Sequence, residues 1–119
     1  MMVYRVVSKP ATLTMTTMNL TDMQASAERA CGLLKALANP DRLLLLCQMS
    51  QAELCVGDLE KMTGIKQPTL SQQLTVLREE NLVTTRREGK QIFYRIASEP
   101  AIAVMQVLYA QFCTATQGA

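Results

Sequence analysis

Three observations predict the fold class of this 119-residue chain. Two short helical segments are separated by Thr63-Gly64-Ile65, with Pro68 opening the second. After Asn81 the hydrophobic period falls from about 3.6 to about 2, and a further amphipathic helix closes the chain. Helix, glycine-containing turn, proline-started helix and then a hairpin predict a mainly α fold with a β-hairpin wing, the winged helix-turn-helix, with extra helices at both ends.

Each element has its own signal. Residues 1–20 are Thr- and Met-rich without a sustained period and read as a disordered arm; the folded domain is expected over 21–116. Thr21 can cap a first helix whose apolar stripe is Met23, Ala27, Ala30, Cys31, Leu34, Leu37 and Ala38. Asn39-Pro40-Asp41 supplies an N-cap, a proline at the first helical position and an acid in the first turn of a second helix. Its run RLLLLCQMS predicts burial nearly all round. A short helix is expected from Glu53 to Met62, with Leu54, Leu59 and Met62 inward and Asp58, Glu60 and Lys61 outward; Gly64 can then take a left-handed turn. Leu70, Leu74 and Leu77 give QPTLSQQLTVLREENL its inner face. LVTTRREGKQIFYRI reads as a hairpin with Glu88-Gly89 at its tip and Ile92, Tyr94 and Ile96 alternating. Ser98 caps a last helix carrying Ile102, Met105, Leu108, Tyr109 and Phe112, before the soft tail TATQGA.

Composition narrows the chemistry. Hydrophobic residues make up 49% and aromatics only 4%, so the core must be aliphatic, with eight Met as gap-fillers. Histidine is absent, which removes the usual general base, pH switch and commonest metal ligand together. Without His or a C-x-x-C pair a thiol nucleophile has no visible activator, so an enzyme is not expected and neither is a cofactor. No apolar run is long enough to span a membrane, and the N-terminus lacks an apolar core with a cleavage site, so a cytoplasmic protein with reduced thiols is expected.

Net charge is only +2, yet residues 66–95 hold six bases (Lys66, Arg78, Arg86, Arg87, Lys90, Arg95) against three acids. Concentrated positive charge raises affinity for phosphates through counterion release. With three leucines turned inward, the second helix of the motif offers Gln67, Thr69, Ser71, Gln72 and Gln73 to base edges, where Gln can grip adenine and Thr can touch the thymine methyl. Arg86, Arg87 and Lys90 flank the hairpin tip and suit phosphates or a minor groove. The plainer reading of QPTLSQQL is an amphipathic helix with a solvated polar face. The turn, the basic hairpin and the element order favour double-stranded DNA as the partner.

LKALANPDRLLLLCQM, ELCVGDL, KQPTLSQQLTVLREENLV and RREGKQIFYRI, in that order, resemble the ArsR family of bacterial repressors over residues 21–115. The resemblance implies a homodimer formed through the first and last helices, binding an inverted repeat in a promoter and releasing it when an inducer is sensed. Arsenite- and cadmium-responsive members carry Cys-Val-Cys where this chain has Cys55-Val56-Gly57, so that site is broken and Cys55 reads as a small filler on a buried helix face. The family's other metal site uses Asp and His ligands, and a chain without His cannot build it. No metal is therefore expected.

Within the family, Cys47 and Cys113 resemble the thiol pair of the sulfide- and persulfide-responsive BigR/SqrR branch. That likeness implies a redox sensor whose inducer is a reactive sulfur species or an oxidant, and whose linked thiols release the operator. Sequence alone selects no pairing among four cysteines. Cys31 reads as interface or core. The apolar neighbours of Cys47 should raise its pKa, leaving Cys113 to react first and Cys47 to resolve. The alternative is an arsenite- or thiophilic-metal-responsive repressor that recruits Cys31, Cys47, Cys55 and Cys113 in a new arrangement.

Overall fold

The computed structural model describes residues 19–113. Residues 1–18 of the arm expected over 1–20, and the tail over 114–119, lie outside the described residues; Asn19 and Leu20 belong instead to the start of the first helix. The chain divides into two units between Gly32 and Leu33, within its first helix.

Helix α1 spans Leu20–Leu37. Its cap lies two residues earlier than expected, at Asn19 and not Thr21: the Asn19 side-chain oxygen accepts from the Asp22 amide at 2.7 Å. In the first unit Met23, Ala27, Ala30 and Cys31 are all exposed. Of the two readings of Cys31, interface or core, its exposure in the single chain excludes the core.

The second unit starts with the end of α1, where Ala36 and Leu37 are buried while Leu34 is 54% exposed. Helix α2 (Pro40–Met49) starts as Asn39-Pro40-Asp41 requires, with the Asn39 side chain accepting from the Arg42 amide at 3.0 Å. Its burial is one-sided, not all round: Leu45, Leu46 and Met49 are buried, but Leu44 and Cys47 face out. Residues about 100° apart on a helix cannot all share one side.

Strand β1 (Leu54–Cys55) replaces the expected helix start, and helix α3 runs Val56–Thr63. Cys55 therefore pairs with Phe93 on a strand instead of filling a buried helix face. Leu59 is buried as expected, whereas Met62 is 51% exposed instead of pointing inward. Gly64 closes α3 at φ 76°, its amide donating to the Glu60 carbonyl at 2.8 Å.

Helix α4 (Thr69–Glu79) buries Leu70, Leu74 and Leu77. It stops short of the expected Leu82 because Asn81 adopts φ 61°. The Asn81 amide donates to Arg78 O and the Leu82 amide to Leu77 O, satisfying carbonyls that the last turn leaves open. Strands β2 (Val83–Glu88) and β3 (Gln91–Ile96) form the hairpin in the register Val83↔Ile96 to Glu88↔Gln91. The tip is Gly89-Lys90, one residue later than expected, with Gly89 at φ 64° as a two-residue turn favours. The sheet order is β1-β3-β2.

Helix α5 (Glu99–Leu108) is capped by Ser98, which accepts from the Ala101 amide at 3.2 Å, and passes into a π-helical turn over Tyr109–Cys113. Of the expected stripe only Met105 is buried; Tyr109 and Phe112 are 52% and 70% exposed. The core is Leu-dominated, with Tyr94 as its aromatic member, and among the described residues no charged or other polar side chain is buried in it. No helix of the described residues is long and apolar enough to cross a membrane.

Candidate nucleic-acid interface and thiol pair

Because the leucines of α4 are fixed inward, the opposite face is fixed outward. Ser71 and Gln72 are exposed there, and Thr69 is half-buried at the first turn. Gln67, just ahead of the helix, is occupied locally: its Oε1 accepts from the Ser71 amide at 3.0 Å and from the Ser71 hydroxyl at 2.7 Å. It supplies the cap that Pro68, at the N-cap position, cannot.

Gln73 sits differently from the other four. It is half-buried, and its Oε1 accepts from Arg42 Nη1 of α2 at 2.8 Å. The same guanidinium donates to Ala36 O at 2.7 Å and Lys35 O at 3.1 Å. Arg42 was not singled out in the sequence, although a cation in the first turn of a helix, against the helix dipole, is a visible anomaly. Lys66, exposed beside the start of α4, is a further cation that the set of base-contacting candidates omitted.

The wing divides its three cations in two. Arg86 donates from Nε to Glu53 at 2.8 Å and pairs with Glu88 at 3.3 Å, and its guanidinium lies 4.7 Å from the Phe93 ring centroid. Glu53 also faces Arg95 at 3.9 Å. Arg87 and Lys90 are exposed and form no ion pair among the described residues.

Cys47 lies on the wall of a groove of about 610 Å³ between α2 and α5, shared with Gln48, Ile102, Met105 and Tyr109. One turn past Tyr109 stands Cys113, exposed and free like Cys47. Partial burial pushes the Cys47 thiol up from its ordinary value, and the charge of a Cys113 thiolate pushes it the same way. Cys55 lies on β1 opposite Phe93, its thiol donating to Asp58 Oδ2 at 3.3 Å. Among the described residues no three His, Cys, Asp or Glu side chains converge to hold a metal ion.

Comparison with known proteins gives the same outline. The model of the bacterial regulatory protein arsR family matches residues 39–85. A biofilm growth-associated repressor of Agrobacterium fabrum is 54% identical over 91 residues, 76% of this chain and 78% of that protein. The chain belongs to the ArsR family. The crystal structure of the transcriptional repressor BigR from Xylella fastidiosa superposes on this ArsR-family protein with a TM-score of 0.74 at 49% identity, over 81% of this chain and 98% of that one. A homodimeric winged helix-turn-helix DNA-binding domain from Mycobacterium bovis, of a possible ArsR-family transcriptional regulator, gives a TM-score of 0.69 at 30% identity over 82% of this chain and 90% of that one. Family and fold place the ArsR-family chain among DNA-binding transcriptional regulators, not enzymes.

Proposed function

We propose that this protein is a homodimeric repressor that holds an inverted-repeat promoter site in double-stranded DNA while Cys47 and Cys113 are free thiols, and lets go when they are linked. Repression is the function named for the relative at 54% identity. Dimerisation is supported by the exposed apolar side chains Leu20, Met23 and Leu34 on α1, Ile102 on α5 and Tyr109 in the π-helical turn after it, and by the homodimeric relative. Thr69, Ser71 and Gln72 would meet the major groove, on a surface flanked by Gln67 and Gln73; Arg86, Arg87 and Lys90 would meet phosphates or the adjacent minor groove.

The thiol reading is supported by the place of Cys47 on the α2–α5 groove, whose lining residue Tyr109 opens the π-helical turn that ends in Cys113. The inducer is a reactive sulfur species or another two-electron thiol oxidant. With an organic persulfide, the Cys113 thiolate takes the outer sulfur and expels the carrier thiolate. The Cys47 thiolate then attacks Cys113 Sγ and expels hydrosulfide, so two thiols are oxidised to one disulfide and the persulfide is reduced to a thiol and hydrogen sulfide. A disulfide requires Cα atoms within about 7 Å, which ties the last helix to α2. The reading heads must meet half-sites about 34 Å apart, so a shift of the last helix changes their fit. A coupling of about 1–3 kcal/mol would weaken binding by about 5–150-fold.

The test is a gel shift with reduced protein and again after persulfide or diamide treatment, with mass spectrometry of the bridged peptides. Treatment should release the promoter from the wild type but not from Cys47→Ser or Cys113→Ser. Release from both variants would end the thiol-pair reading.

A further inference from the structure

Helix α1 ends at Leu37, leaving the carbonyls of its last turn without intrahelical partners. The Ala38 amide reaches Leu34 O at 2.9 Å and Lys35 O at 3.3 Å, and Arg42 adds to these by donating to Ala36 O and Lys35 O. A cation there faces the negative end of α1, which offsets its unfavourable place in the first turn of α2. The third contact leaves this corner altogether. Arg42 Nη1 reaches Gln73 Oε1 at 2.8 Å, thirty-one residues on and in the middle of α4. One planar guanidinium therefore spans the end of α1, the start of α2 and the flank of α4. Its fork fixes all three directions at once, as an ammonium could not.

We infer that Arg42 is a positioning residue that fastens α4 to the C-terminal end of α1 through Gln73, so that Gln73 orients the DNA-reading surface and does not itself read a base. The inference rests on the DNA-binding reading above. Any displacement of the last turn of α1 is transmitted to α4 through two short hydrogen bonds on either side of a rigid plane. Of the five polar candidates on and before α4, Gln73 is then the one whose loss affects all operator sequences alike.

Two measurements test this on the full chain. Hydrogen exchange of the free protein needs no DNA: Arg42→Gln should speed exchange across residues 69–79 and at the end of α1 while sparing the hairpin. Unchanged exchange in α4 would overturn the link, and this arm decides even if the reduced wild type binds no promoter, a failure that belongs to the preceding proposal. For binding, Arg42→Gln, Gln73→Ala and the double variant are titrated against the promoter fragment and its single-base substitutions. Each single variant should lose at least about fivefold in affinity on every sequence, with the double variant losing no more than the worse single one. Arg42→Lys should not restore binding. Three outcomes would overturn the inference: relaxed preference at one base in Gln73→Ala, which makes Gln73 a base reader; rescue by Arg42→Lys with a shallower salt slope in Arg42→Gln, which makes Arg42 a phosphate contact; and a lowered melting temperature with unchanged affinity, which makes the link purely structural.

Discussion

The two arginines at consecutive wing positions should behave differently in DNA binding. Arg86 already faces Glu53 at 2.8 Å and Glu88 at 3.3 Å, so its charge is largely answered within the protein. Arg87 is exposed and unpaired among the described residues, so its charge is available to a phosphate. In a dimer Arg87→Ala removes two phosphate contacts, and at about 0.9 per contact the slope of log affinity against log salt should fall by about 1.8. Over a rise from about 50 to about 200 mM salt that is about a twelvefold smaller loss of affinity than the wild type suffers. Fluorescence anisotropy with a labelled promoter fragment across that range measures both slopes. Arg86→Ala should change the slope less than Arg87→Ala while loosening the packing over Phe93. An unchanged slope in Arg87→Ala, or equal effects of the two substitutions, would refute the division of labour read from the ion pairs.

Three further outcomes are expected. Ser98→Ala removes the α5 cap and should lower stability by about 1 kcal/mol, about 4–8 °C in melting temperature for a domain of this size, with promoter affinity intact; circular dichroism and anisotropy check both. Because burial and then Cys113 raise the Cys47 pKa, alkylation of Cys47 should reach its half-maximal rate at higher pH than that of an ordinary thiol. Cys113→Ser should move that profile part of the way back down, as mass spectrometry of the Cys47 peptide would record. For stability the sign is the same: a raised thiol pKa leaves the contribution of Cys47 intact at neutral pH and erodes it as pH climbs into the alkaline range, so Cys47→Ser should flatten that limb of a urea-midpoint series. Finally, a Cβ at Gly57 meets nothing within 4 Å, so Gly57→Cys should fold with an unchanged melting temperature. By restoring the Cys-Val-Cys spacing it should bind arsenite more tightly than the parent chain does, measured by titration of the reduced proteins.

What the sequence made legible was local. Asn39-Pro40-Asp41, Ser98 and Gly64 act through atoms within about one helical turn, and each performs the role its residue type suggested. The hairpin is legible because alternation over Ile92–Ile96 needs only a two-residue period. The failures are long-range. Leu54 and Cys55 look helical by spacing and become a strand only because Tyr94 and Phe93 arrive beside them from far along the chain. Arg42 carries no periodic signature, and its partners are six, seven and thirty-one residues away. At the interface, outward positions on α4 followed from inward ones, but neither the capture of Gln73 by Arg42 nor the neutralisation of Arg86 by Glu53 could be read from residue type. The over-burial predicted for α2 was avoidable, since four consecutive leucines must spread around a helix.

The strand order leaves β1 and β2 as the outer members of the sheet. One is only two residues long and the other ends in Arg86-Arg87-Glu88, so neither rim offers a flat apolar template on which a stray chain could add itself. The greasy surface is carried by helical segments instead, at Leu20, Leu34, Val107 and Tyr109. Association is thereby steered toward side-chain packing, which is selective for shape, and away from backbone zippering, which is not. A basic hairpin that must reach into solution for its nucleic acid can do so without doubling as a seed for aggregation.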